Sequence, residues 1–158
     1  MITPTTFLIL LNIRSAQNVG SLFRTADAVG ISKIYLVGYT PDPVDKFGRA
    51  RGDVAKAALG AEQTIMWEHV KTIAPLLKKL KKEGIQIIAI EQSKNSVDYK
   101  KIKPQKSVAF ILGNEVDGLP ESDLEQVDIV AEIVLAGKKE SLNVSVAGGI
   151  ALFRILNR

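Results

Sequence analysis

Arg24, Asn18, Glu115, Ser141 and Asn143 are the side chains here best placed by type to do chemistry, and they fall in three separated segments. The first segment reads Asn12-Ile-Arg-Ser-Ala-Gln-Asn-Val-Gly-Ser-Leu-Phe-Arg24. The second reads Phe110-Ile-Leu-Gly-Asn-Glu-Val-Asp-Gly-Leu-Pro120, and the third Glu140-Ser-Leu-Asn-Val-Ser-Val-Ala147. Each puts Gly, Asn, Ser or an ionisable residue where an apolar run should hand over to a loop or helix. Ligands of open α/β sheets sit at such strand ends. The same residues exclude other chemistries. Gly113 and Gly118 have the spacing of a phosphate loop, but Leu119-Pro120 stands where that loop needs Lys followed by Ser or Thr. No G-x-G-x-x-G follows an apolar run, so a Rossmann dinucleotide site is absent. The chain has no cysteine and one histidine, His69, so thiolate chemistry is excluded and no metal site is expected. His69 has no Ser or Cys motif beside it and reads as a structural or surface residue.

The elements that must hold these segments alternate. Phe7–Leu11, Lys33–Val37, Ile85–Ile90 and Val108–Leu112 are short apolar or β-branched runs, the pattern of parallel strands buried on both faces, and Ile129–Leu135 is a more polar fifth. Between them, Val19, Leu22, Phe23, Ala26 and Val29 recur at helical spacing, with Gly30 as a stop. Val70–Lys82 places Val70, Ile73, Leu76, Leu77 and Leu80 on one helical face. Strand alternating with helix predicts a mainly parallel sheet covered on both sides. The segment from Gly38 to Ala61 starts as a loop, with a short helix over Asp53–Leu59. Loops this long inside compact domains tend to be functional. A last helix should start at Ser141 as N-cap and run from about Leu142 to Leu156. Gly148 and Gly149 fall in its middle, each at a cost of about 1 kcal/mol against Ala, so the pair marks either a close backbone approach or a kink.

With 158 residues, 46% of them hydrophobic and 24% charged, the sequence reads as one globular domain spanning 1–158. No repeat or linker divides it. No apolar run is long enough to span a membrane, and a cytoplasmic protein is expected. The net charge of +4 is unevenly spread: residues 71–106 carry ten lysines against three acidic residues, and residues 107–140 carry two lysines against eight. An anionic partner fits this distribution. Lys71 to Lys82 also reads as the solvated face of an amphipathic helix.

In order and spacing the three segments resemble the signature motifs of the SpoU (TrmH-like) RNA ribose methyltransferases, of the knotted SPOUT superfamily. Asn18, Gly20 and Arg24 match the first motif; Gly113, Glu115 and Gly118 the Gly-x-Glu-x-x-Gly of the second; Ser141, Leu142, Asn143 and Val144 the third. The resemblance implies a three-layer α/β/α domain with a mainly parallel sheet and a C-terminal deep trefoil knot threaded within about Leu112 to Arg158. It implies S-adenosylmethionine as cofactor, held by Leu112, Gly113, Asn114, Gly118, Ile133, Leu135 and Leu142. The reaction it implies is methyl transfer to a ribose 2′-hydroxyl of RNA, with tRNA expected first and rRNA second. Arg24 would stabilise the incipient alkoxide or clamp the adjacent phosphate, because a guanidinium is not deprotonated in proteins. Asn18, Glu115, Ser141 and Asn143 would hold Arg24 and the ribose in register. Arg14, Arg49, Arg51 and Lys56 would grip phosphates. The family dimerises, so a homodimer is expected, with the glycine pair packed at the interface and Arg24 acting on RNA bound mainly by the partner. No separate RNA-binding domain is expected before the first strand, so this domain would capture RNA unaided.

The sequence departs from the family pattern at two places. Ile133-Val-Leu135 replaces the usual Ile-Pro-Met before the third motif, which removes a rigid entry to the loop. Asn114 stands where Ser or Ala is common. Two other readings remain on the same scaffold: a base methyltransferase, and a catalytically silent RNA-binding protein.

Overall fold

The structure is a computed structural model that describes residues 4–158. Among these residues seven strands form one sheet: β1 (Thr6–Leu11), β2 (Lys33–Val37), β3 (Met66–Val70), β4 (Gln86–Ile90), β5 (Val97–Asp98), β6 (Val108–Leu112) and β7 (Ile129–Glu132). Their order is β3-β2-β1-β6-β4-β7-β5, and each of these pairings is parallel. Six α-helices accompany them in the described residues: α1 (Ala16–Val29), α2 (Gly52–Ala58), α3 (Ala61–Thr64), α4 (Ile73–Lys82), α5 (Glu121–Leu124) and α6 (Val144–Ile155).

Past their first residues the central strands β1, β6 and β4 are apolar and buried because both sheet faces are covered. In β1, Leu8 and Leu10 join Leu22 and Phe23 of α1, Val54 of α2 and Leu152 of α6 in one core layer. Ile9 and Leu11 face the other way, into a second layer with Ile73, Leu76, Leu77 and Leu80 of α4 and Leu124 of α5. Three layers result, as the resemblance implies. Register places the carboxyl ends of β1, β4, β6 and β7 on one edge: Leu10 pairs with Leu112, Ala89 with Ile111 and Ile90 with Ala131. Among the described residues no helix is long and apolar enough to cross a membrane.

The elements depart from the sequence reading in specific places. Val70 closes strand β3 rather than opening a helix, and α4 begins at Ile73. β3 lies at the sheet edge with its side chains largely outside the core, so Met66-Trp-Glu-His-Val70 carries no apolar signal. β5 has two residues, too few to leave a pattern. β7 stops at Glu132, which frees Ile133 and Leu135 to turn away from the sheet. The expected Asp53–Leu59 helix is Gly52–Ala58. α6 begins at Val144, not Leu142, and its N-cap is Asn143, not Ser141. Gly148 also has another reason than a dimer interface or a passing backbone. A Cβ there would lie 2.8 Å from side-chain carbons of both Leu112 and Leu22, so its hydrogen lets α6 settle on β6 and α1 of its own chain.

Candidate active site

The second motif forms a tight return at the end of β6. Gly118 N–H donates to the Asn114 carbonyl at 3.0 Å, closing the loop. A Cβ on Gly113 would sit 2.8 Å from the Gly118 backbone, so the strand end and the returning chain touch. Gly118 has φ +66° and backs onto the Glu91 carboxylate, which a Cβ would strike. Glu91, the first residue after β4, accepts from Leu119 N at 3.0 Å and Gln92 N at 2.8 Å. The carboxylate at the β4 end thus pins the far side of the loop.

Glu115 pins the near side. Its Oε1 accepts from Ser15 N at 3.0 Å and Asn18 Nδ2 at 3.1 Å, and its Oε2 from Arg14 N at 2.9 Å. Burial pushes the Glu115 carboxyl up, but the Arg14 and Ser15 N–H groups and the Asn18 amide outweigh it and hold the group below the usual carboxylate range. Asn143 Nδ2 donates to Asn18 Oδ1 at 3.2 Å, which brings in the third motif, and its own Oδ1 accepts from Ser145 N at 2.9 Å as the α6 cap. Asn114 adds a second bridge. Its Nδ2 donates to the Asn12 carbonyl and to the Tyr39 hydroxyl, both at 2.9 Å, while its Oδ1 accepts from Val116 N and Asp117 N. Both donors and both acceptor lone pairs of that amide are spent on the protein. Beneath, buried Thr40 accepts from Ile13 N at 3.0 Å and has the Leu10 and Val37 carbonyls within reach of its hydroxyl. Three segments far apart in the chain are thereby joined by hydrogen bonds.

A pocket opens beside this network at the ends of β4, β6 and β7. All seven residues expected to hold a cofactor line it: Leu112, Gly113, Asn114, Gly118, Ile133, Leu135 and Leu142. Glu115 and Ser141 line it too. Ile90, Glu91 and Gln92 were missed, although their place at and just past the end of a buried strand was the available signal, and so were Val144 and Ala147 on α6. Ile90, Leu112, Ile133, Leu135 and Leu142 give an apolar wall suited to a flat ring, and Gly113 and Gly118 let a ligand approach backbone. Gln92 Nε2 donates to the Glu140 carbonyl at 2.8 Å and steadies the approach to the third motif, where the family proline is missing. Among the described residues no group of three or more His, Cys, Asp or Glu converges on a metal-sized site.

Arg24 stands apart from this network within its own chain. It lies on the exposed face of α1, does not line the pocket, and makes no hydrogen bond or ion pair with the described residues. Asn18, Glu115 and Asn143 therefore hold one another rather than Arg24. Of the expected phosphate contacts, Arg14 presents an exposed side chain beside the Glu115 anchor, and Lys56 is exposed on α2. Arg49 and Arg51 are paired, with Asp45 at 2.8 Å and Asp53 at 2.6 Å. Pairs this exposed contribute little and can exchange for phosphate. His69 is structural: Nδ1 meets Asp42 at 2.5 Å and Nε2 the Gly38 carbonyl at 2.9 Å, tying the loop after β2 to β3. Gly20 of the first motif serves packing, since a Cβ there would strike the Val54 carbonyl and lie 2.8 Å from Ala57 Cβ on α2.

Residues 5–153 match the sequence profile of the SpoU rRNA Methylase family. The chain belongs to the SpoU family. A SpoU relative from Neisseria meningitidis serogroup B, named 23S rRNA (guanosine-2'-O-)-methyltransferase RlmB, is 36% identical over 149 residues, covering 94% of this chain and 57% of that protein. An AdoMet-bound rRNA methyltransferase from Sinorhizobium meliloti superposes with a TM-score of 0.85 at 32% identity, over 99% of this chain and 58% of that one. A TrmH/SpoU tRNA modifying enzyme from A. aeolicus superposes at 0.84 with 27% identity, over 98% and 75%. The chain thus spans somewhat over half the length of the Neisseria and Sinorhizobium relatives.

Proposed function

We propose that this SpoU domain, residues 1–158, transfers a methyl group from S-adenosylmethionine to a ribose 2′-hydroxyl of RNA. The observation that carries the reading is the pocket at the ends of β4, β6 and β7, which gathers every residue the family resemblance assigns to the cofactor. The chemistry fits. The apolar wall of Ile90, Leu112, Ile133, Leu135 and Leu142 suits adenine, and the glycine backbone suits ribose and polar ends. S-adenosylmethionine would supply an electrophilic methyl on a sulfonium. The chain's own work is to hold the 2′-oxygen in line and to stabilise charge developing on it. Glu115, Asn18 and Asn143 fix the loops on either side, and Ser141 lines the pocket at the α6 approach.

Arg24 supplies the charge stabilisation, and its exposure on α1 fits action in the site of a second copy. The exposed face of α6 supports such a copy. Val146, Ile150 and Phe153, with Leu142 before the helix, are 38–49% exposed and recur at helical spacing, an apolar stripe that water does not favour. The proposal includes a homodimer seated on this stripe and the C-terminal threading that the resemblance implies. The name of the Neisseria relative makes rRNA the first substrate to test, reversing the order read from the sequence, with tRNA second.

Transfer of label from donor to bulk rRNA and tRNA, comparing wild type with Arg24→Ala, tests the reading. Wild type should label RNA, and Arg24→Ala should lose about 10²–10³-fold in rate while still binding donor. Mixing Arg24→Ala with a variant blocked in the pocket, Gly113→Val, should recover activity if Arg24 serves the partner's site. Donor binding with no transfer to either RNA overturns the proposal.

A further inference from the structure

The loop after β2 carries a feature the pocket does not use. Residues 43–51 fold as a small hairpin, with Val44 bridged to Ala50 and Arg51 N–H donating to the Pro43 carbonyl at 2.9 Å. Asp45 staples its tip: one carboxylate oxygen accepts from Phe47 N at 2.8 Å and Arg49 N at 3.0 Å, the other from Arg49 Nε at 2.8 Å. Gly48 closes the turn at φ +77°. The ring this turn presents, Phe47, is 69% exposed and packs into neither core layer. Two cations attend it, Lys46 Nζ and the Arg49 guanidinium, each 5.0 Å from the ring centre. Tyr39, 58% exposed, stands at the root of the same loop with its hydroxyl bonded to Asn114 of the active-site network.

An exposed phenylalanine adds little to folding, yet three hydrogen bonds to the Asp45 carboxylate hold this turn in place. The geometry points to a recognition tip: Phe47, with Tyr39 at the loop root, stacks unpaired bases of a single-stranded RNA segment while Lys46 and Arg49 meet its phosphates. Bases splayed from loops stack on aromatic rings and guanidinium planes, whereas paired bases offer no free face. Phe47 lies eight residue steps along the chain from Tyr39, so at roughly 3.5 Å per step the tip lies within about 28 Å of the site, a reach of a few nucleotides. The inference rests on the RNA methyltransferase reading and names the structure of its substrate, an unpaired segment rather than a duplex stem.

Fluorescence anisotropy with a labelled ten-nucleotide single-stranded RNA and a hairpin duplex, at fixed salt, tests it. Phe47→Ala should weaken single-strand binding on the order of tenfold and leave duplex binding within about twofold. Phe47→Trp should bind like wild type, and the emission of the introduced indole should be quenched on adding single strand. Wild type, whose one tryptophan is Trp67, provides the background. Arg49→Ala should reduce the slope of log affinity against log salt by about 0.7. Three results each overturn the inference: equal single-strand binding by wild type and Phe47→Ala, an equal loss on duplex, or emission of the Phe47→Trp variant that bound RNA leaves unchanged. In the first case the tip belongs to a protein contact instead. Phe47-dependent binding without any methyl transfer keeps the inference and removes the reaction, so the two failures are separable.

Discussion

Replacing Glu115 by glutamine keeps the side chain's shape and removes its charge, and the hydrogen bonds around it set the cost. Ser15 N and Asn18 Nδ2 converge on Oε1, and Arg14 N sits 2.9 Å from Oε2. Glutamine has one oxygen to offer. If it faces Ser15 and Asn18, its NH₂ must face the Arg14 N–H, donor against donor. One charge-assisted bond worth about 1.5–3 kcal/mol is lost, and the two kept bonds fall toward neutral strength. Because Arg14 is exposed, water recovers part of this. The net cost should be about 2–3 kcal/mol, and at about 2–4 °C per kcal/mol for a chain of this size Tm should fall by roughly 4–12 °C. Thermal unfolding followed by circular dichroism near neutral pH reads the shift. Asn18→Ala in the same background should cost less than it does alone, since the two share a bond. A Tm within about 1 °C of wild type, with additive effects of the two substitutions, refutes the claim that Glu115 binds the first and second motifs together.

The same carboxyl gives a pH dependence. Its folded value lies below the ordinary one, so the stability it contributes is complete above the unfolded value near about 4.3 and is lost as pH falls through that value toward the lower folded one. Tm measured from about pH 6 down to about pH 3 should drop more steeply for wild type than for Glu115→Gln. Thr40→Val strands the buried Ile13 N–H and should cost about 1–3 kcal/mol in denaturant unfolding, whereas Thr40→Ser should keep most of the stability. Gly148→Ala pushes against Leu112 and Leu22 at 2.8 Å and should cost about 1–2 kcal/mol. By moving the Leu112 wall it should also weaken calorimetric S-adenosylmethionine binding severalfold. Gly149→Ala, whose Cβ meets only Thr25 Cγ2 at 3.9 Å, should be neutral or stabilising.

How much could be read from the sequence depended on burial. β1, β2 and β6 were legible because both their faces are covered, which forces an unbroken apolar run. β3 was not, since at the sheet edge Glu68 and His69 meet solvent and only the backbone pairing to β2 defines the strand. The pocket residues at the β6 end and before α6 were legible through motif spacing, those at the β4 end were not, and what each does could not be read. Asn114 and Glu115 reach across to Asn12 after β1 and to Asn18 in the first turn of α1, and no local pattern encodes that closure. The α6 cap shows a subtler limit. Ser141 and Asn143 are both good caps by type, and the structure uses Asn143, whose Oδ1 accepts from Ser145 N and Val146 N. Glu91 was invisible for the same reason as Glu115 was visible: one stands in a recognisable motif, the other only beside it in space.

Where the methyl lands is the most direct test of the central claim. RNA labelled by the wild-type chain should be hydrolysed in alkali, which cleaves only next to a free 2′-hydroxyl. The label should then run as alkali-resistant dinucleotides bearing a 2′-O-methyl ribose. Label recovered in mononucleotides with a methylated base would contradict the ribose chemistry assigned to this pocket.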